Sequence, residues 1–130
     1  MNGFPAELTL KSAPIGAVEL ALFAAASGDH NPLHLDPDAA RSAGFERPVV
    51  HGMLTMALAG RLFTQRFGAG CVRSLQTRFS GVALVNDVIE LVATLQGVEE
   101  GVARYTLRGA TAGGTGIVTG AARVTVEVTA

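Results

Sequence analysis

Apolar residues recur at helical spacing through the first half of the chain and at strand spacing through the second. Near the start, residues 8–12 form a short candidate strand. Pro14 sits where a first helical turn tolerates a ring without an N–H, and IGAVELALFAAASG predicts a helix over 15–26. Its Val18, Leu22 and Ala25 fall on one face, and Gly28 supplies a stop. After a polar loop, LDPDAARSAGF reads as a short helix, with Asp36 as cap, Pro37 in first position and Gly44 at the end. FERPVV must be extended, because Pro48 biases Arg47 away from the helical region.

The next segment, HGMLTMALAGRLFTQRFG, has one polar side chain between Met53 and Gly60, Thr55. A helix apolar nearly all round is expected to be buried on nearly all sides. Beyond Gly68 the composition turns to Val, Thr and Leu. Strands are expected over 71–80, 87–98, 102–112 and 115–128, divided by the turn signals Asn86-Asp87, Glu100-Gly101 and Gly113-Gly114. In ARVTVEVT, Val124, Val126 and Val128 alternate with other residues, as in a strand with one buried face. Helices followed by a run of antiparallel strands make an α+β pattern. The central helix is too apolar for a surface, so the sheet should curl around it. Such a sheet leaves an open edge, which favours pairing with a second copy.

The totals narrow the function classes. The 130 residues suit one domain spanning 1–130. Only 16% of them are charged and the net charge is -1, so no global field draws nucleic acid or an anionic membrane. Cys71 is the sole cysteine, which excludes an intrachain disulfide and a cysteine zinc cluster. The first residues lack the basic and apolar regions of a signal peptide, and no apolar run would span a bilayer. A cytoplasmic protein is the expectation.

Against this plain background SGDHNPLH stands out, with an acid, an amide and two of the three histidines in one stretch. Pro32 forbids a regular helix there and pushes Asn31 to an extended conformation. The kink lets Asp29 and His34 turn inward together. A carboxylate and an imidazole facing one space can share a water molecule, the carboxylate taking a proton while the imidazole donates or relays another. Asn31 either orients the pair or caps the turn, and Asp29 itself is also an ordinary turn residue. Asp29, His30 and His34 are all potential metal ligands, but Pro32 denies the histidines a common helical face, and no metal is expected. In PVVHGML, Gly52 opens the apolar helix. Its N–H lacks a helical partner, and a glycine admits close approach, so this amide is a candidate oxyanion donor. Alternatively Gly52 is a flexible helix start and His51 a satisfied buried histidine.

The stretch SGDHNPLHLDPDAARSAGFERPVVHGMLTMALAGRLF resembles the hydratase-2 motif of (R)-specific enoyl-CoA hydratases, in the MaoC-like dehydratase family. Gly28, Asp29, Asn31, Pro32 and His34, then Phe45, Pro48, His51, Gly52 and Met53, meet the pattern over about 37 continuous residues. The resemblance implies a hot-dog fold, an antiparallel sheet wrapped around a central helix, and a homodimer. It implies reversible syn hydration of trans-2-enoyl-CoA to (R)-3-hydroxyacyl-CoA. Asp29 and His34 would then be the catalytic pair, Gly52 the amide that polarises the thioester, and Asn31 the loop support. His51, Leu54 and Thr55 are the candidate substrate contacts, with Leu58 a further pocket residue. No cofactor is implied, since coenzyme A is part of the substrate. Downstream, Val82 and Asn86 replace a proline and a glycine common in the family, and asparagine tolerates the left-handed turn. Coenzyme A phosphates would call for Arg or Lys, with Arg47, Arg61, Arg66, Arg73, Arg78, Arg108 and Arg123 available.

Three other readings use the same sequence. A dehydratase acting on an acyl carrier protein needs the same residues. A hot-dog thioesterase needs no Asp/His pair at this spacing. A non-catalytic hot-dog partner subunit predicts a degenerate loop, and this loop is complete.

Overall fold

The structure, a computed structural model, describes residues 3–126. Strand β1 (Glu7–Lys11) leads into helix α1 (Ala17–Ser27), a 3-10 turn (Pro32–His34) and helix α2 (Pro37–Ser42). Helix α3 (Gly52–Phe67) follows, then strands β2 (Val72–Phe79), β3 (Ile89–Glu99), β4 (Val102–Thr111) and β5 (Gly116–Val124). The strands form one antiparallel sheet in the order β1-β3-β4-β5-β2, so β1 and β2 are its edges. Helix α3 packs against β1, β2 and β3. Its Leu62, Phe63 and Phe67 join Leu20, Ile89, Leu91, Tyr105 and Ile117 in the core. This is the expected hot-dog arrangement.

The turn chemistry follows the sequence closely. Glu100 and Gly101 both take positive φ, 53° and 77°, and close the β3–β4 hairpin. Asn86 sits at φ 74°, the left-handed conformation expected where the family carries glycine. Asp36 caps α2, its carboxylate accepting from the Asp38 N–H at 2.9 Å.

Four expectations need correction. Pro14 lies outside α1. The helix starts after Gly16, because Ile15 is bonded in both directions to the loop before β3, its N–H to Asp87 O and its carbonyl to Asn86 N–H. The face of α1 turned to the core carries Leu20 and Ala24. Val18 and Leu22, expected inside, are 69% and 65% exposed, and Ala25 is exposed as well. Helix α3 buries one side only, through Thr55, Ala59, Leu62, Phe63 and Phe67, while Met53 is 60% exposed. Finally, β5 stops at Val124. Val126 lies beyond it and half exposed, and Val128 lies outside the described residues.

Candidate active site

Helix α1 ends at Gly28, whose φ of 79° turns the chain sharply toward the loop. Ser27 reinforces the turn by donating to Phe23 O and accepting from the Asp29 N–H. Asp29 Oδ1 then accepts from the Asn31 N–H at 3.3 Å, and Asn31 Oδ1 from the Leu33 N–H at 3.0 Å. Two successive side-chain turns thus wind the chain into the 3-10 turn, with Pro32 in its first position. Asn31 caps that turn. His30 stays exposed, its Nδ1 3.3 Å from Gly28 O.

The winding brings Asp29 and His34 together. His34 Nε2 lies 3.5 Å from Asp29 Oδ2, with the imidazole largely buried and the carboxylate half exposed. On the other side of the ring, Nδ1 lies 2.7 Å from Val49 O. A carbonyl only accepts, so Nδ1 carries the hydrogen and a neutral His34 presents its Nε2 lone pair to Asp29. Val49 is held in turn: its N–H donates to Leu33 O, and it forms a bridge with Leu84. Arg47 and Asp87 clamp this bridge. Arg47 Nη2 donates to Asp87 Oδ1 at 3.1 Å and Nε to Val85 O, while Asp87 Oδ2 accepts from the Leu84 N–H at 2.8 Å.

His51 is sealed behind the pair. It is 1% exposed and stacks on His34, centroids 3.8 Å apart and planes 19° apart. Its Nε2 lies 3.2 Å from the Asp29 main-chain oxygen. Gly52 follows as the exposed first residue of α3, and a Cβ there would meet the Phe79 ring at 3.4 Å. Its N–H and that of Met53 belong to the set a helix start leaves without intrahelical acceptors. Leu54 and Thr55 are the first to close onto His51 O.

The candidate substrate contacts therefore separate. Leu54, with Leu58, lines a cleft of about 440 Å³ bordered by Lys11 and Arg61. Thr55 is 4% exposed and points into the protein. Of the arginines, Arg47 is occupied by Asp87, and Arg66 lies over the Phe67 ring. Ligand atoms of Asp29, His34 and His51 lie within 4.8 Å of one another, a spacing a cation could use. The stacked rings argue against it, because their in-plane lone pairs run side by side rather than converging. Sequence reasoning missed Val49, Phe23 and Phe79. The first acts through a backbone carbonyl, which carries no residue signature, and the others are ordinary apolar residues in a helix and a strand.

A sheet wrapped on one helix, with an acid–imidazole pair beside the helix start, defines a hot-dog protein. The MaoC-like domain model matches residues 5–112, and the chain belongs to that family. It is 42% identical over 113 residues to the (R)-specific enoyl-CoA hydratase of Aeromonas caviae, covering 84% of each chain. It superposes on the solved (R)-hydratase from A. caviae involved in PHA biosynthesis with a TM-score of 0.85 and 38% identity, over 93% of this chain and 94% of that one. A mitochondrial 3-hydroxyacyl-[acyl-carrier-protein] dehydratase of Arabidopsis thaliana is 37% identical over 71 residues, 55% of this chain and 43% of that protein. These relatives are named hydratases and dehydratases, hence hydro-lyases.

Proposed function

We propose that this protein is an (R)-specific enoyl-CoA hydratase, adding water reversibly and syn across trans-2-enoyl-CoA to give (R)-3-hydroxyacyl-CoA. The observation that carries the reading is the 3.5 Å gap between Asp29 Oδ2 and His34 Nε2, with His34 Nδ1 tied to Val49 O. Both groups facing the gap accept hydrogen bonds. One water can give a hydrogen to each and keep its oxygen lone pairs free for attack.

The chemistry follows from that pose. The water oxygen bonds to C3 of the enoyl group as one of its protons passes to the pair. The electrons of the double bond shift toward the thioester oxygen, where the Gly52 amide and the α3 dipole stabilise the growing negative charge. The pair then returns a proton to C2 from the same side. The elements of water are added and nothing is oxidised, so no redox cofactor is required, and the Gly52 amide fills the electrophilic role a metal would otherwise take. Coenzyme A belongs to the substrate, and the Leu54–Leu58 cleft, with Lys11, Arg61 and Glu19 among its lining, offers an apolar wall to the acyl chain. A homodimer fits the open β2 edge and the exposed Met53 and Phe79.

The second reading, a 3-hydroxyacyl-carrier-protein dehydratase, is favoured by the similarity to the plant mitochondrial enzyme. The test follows the ultraviolet absorbance of crotonyl-CoA with wild type, Asp29→Ala and His34→Ala. Wild type consumes the enoyl absorbance and yields (R)-3-hydroxybutyryl-CoA, and both variants are at least about a hundredfold slower. Activity on a crotonyl carrier protein alone selects the second reading, and thiol release without hydration sinks both.

A further inference from the structure

We propose that His51 is a positioning residue that sets the Asp29–His34 gap, a role that rests on the hydratase reading above. At 1% exposure its ring is shut off from any substrate in the site. What it touches is the machinery. Nε2 lies 3.2 Å from Asp29 O, so this nitrogen carries the hydrogen and ties down the main chain of the acid. Nδ1 is buried and has no partner among the described residues, and a hydrogen placed there would meet no acceptor. His51 is therefore the Nε2–H tautomer, whereas His34, bonded through Nδ1 to Val49 O, is the Nδ1–H tautomer.

The same ring lies flat on His34 at 3.8 Å, which limits rotation of the imidazole out of line with Asp29. Phe23 holds His51 from another direction, centroid at 4.9 Å and tilted by 58°. One side chain thus fixes the acid through its backbone and the base through its plane. Its own carbonyl accepts from the Leu54 and Thr55 N–H groups and anchors the start of α3 beside Gly52. Loss of either hold lets the two groups drift, and a shift of about 1 Å in a reacting pair costs on the order of a hundredfold in rate.

Two variants separate the two holds. His51→Phe keeps a flat ring and removes the donor. His51→Gln keeps an N–H donor and removes the stacking. Each is expected to lower kcat on crotonyl-CoA by roughly ten- to a hundredfold with KM within about twofold of wild type. A raised KM with unchanged kcat would make His51 a substrate contact and overturn the proposal, as would unchanged kcat in both variants. Side-chain 15N–1H spectra of the substrate-free wild type supply an arm independent of turnover. They should show His34 as the Nδ1–H and His51 as the Nε2–H tautomer. The reverse assignment overturns the arrangement even in an active enzyme. Wild type inert toward every enoyl thioester, with the expected tautomers, defeats the hydratase reading and with it the role, while leaving the geometry intact.

Discussion

Gly52→Pro removes one hydrogen-bond donor and adds ring carbons, of which Gly52→Ala adds the Cβ alone. Gly52 is the first residue of α3, where proline is favoured because its fixed φ suits the helix and its missing N–H has no helical partner to lose. The residue before a proline must be extended, and His51 already is, at φ −55° and ψ 131°. Gly52→Pro should therefore leave the fold standing while deleting the amide assigned to the thioester oxygen. Loss of one such donor costs about 10²–10³ in kcat, or about 2.7–4 kcal/mol. Gly52→Ala is the companion. It keeps the N–H and improves helix propensity, by up to about 1 kcal/mol, but sets a methyl 3.4 Å from the Phe79 ring, on the approach to the amide. Since Phe79 is 45% exposed it can yield, so Ala should hold or raise Tm and lose far less activity than Pro. Initial rates on crotonyl-CoA and thermal melts of the three proteins decide the matter. A Gly52→Pro protein that folds and retains more than about a tenth of wild-type kcat would refute the assignment of this amide.

Other parts of the molecule give equally direct expectations. Asp87→Ala removes the clamp on the Val49–Leu84 bridge that positions the His34 acceptor. With Arg47 42% exposed, the stability loss should be about 1 kcal/mol, a fall of roughly 3–5 °C in Tm, accompanied by reduced kcat. Unchanged kcat at reduced Tm would detach the clamp from the site. Burial pushes the Tyr105 phenol above its ordinary value of 10, with the Arg66 guanidinium pulling the other way. The unfolded chain then ionises first, so the associated stability is intact below about pH 10 and is lost as pH rises from there through the raised native value. Tyr105→Phe removes the 2.8 Å bond to Pro5 O, costing about 1 kcal/mol at neutral pH, and should flatten the alkaline fall seen in denaturant titrations at pH 9–11. Light scattering should give twice the chain mass at micromolar concentration, and Met53→Glu should shift it toward the monomer. A monomeric wild type would refute the homodimer.

Most of the loop and its partners were legible because their signals are local. Two side-chain turns and a proline occupy six residues from Asp29 to His34, and each contact spans two to five positions, so the sequence already contains the geometry. The strands were legible for a related reason. Asn86, Glu100 and Gly101 mark where the chain must take positive φ, and those turns fix where one strand ends and the next begins. What escaped reading was the phase of α1. AVELALFAAAS is apolar on every side except at Glu19 and Ser27, so several rotations bury similar surface. Tertiary contact alone selects the one with Leu20 and Ala24 inside. The acceptor for His34 escaped as well, since it is a main-chain oxygen fifteen residues away, placed by a bridge that closes only when Leu84 arrives from the far side of α3.

The mismatch at α3 has a different origin. Its sequence asks for burial on nearly all sides, yet within one chain Met53 and Ala57 face outward, as do Val18 and Leu22 on α1 and Phe79 at the end of edge strand β2. Leaving large side chains such as these in water forgoes about 1.5–3 kcal/mol for each that is fully covered instead. A charged fraction of 16% gives little polar surface to offset them. The composition and the exposed residues thus describe the same deficit from two directions, and a second copy laid along the open β2 edge would cover the part of it that Phe79 carries. On that reading the partner would also approach Gly52 through Phe79. The all-round apolar sequence of α3 and the placement of the candidate site at an exposed helix start then have a common physical cause.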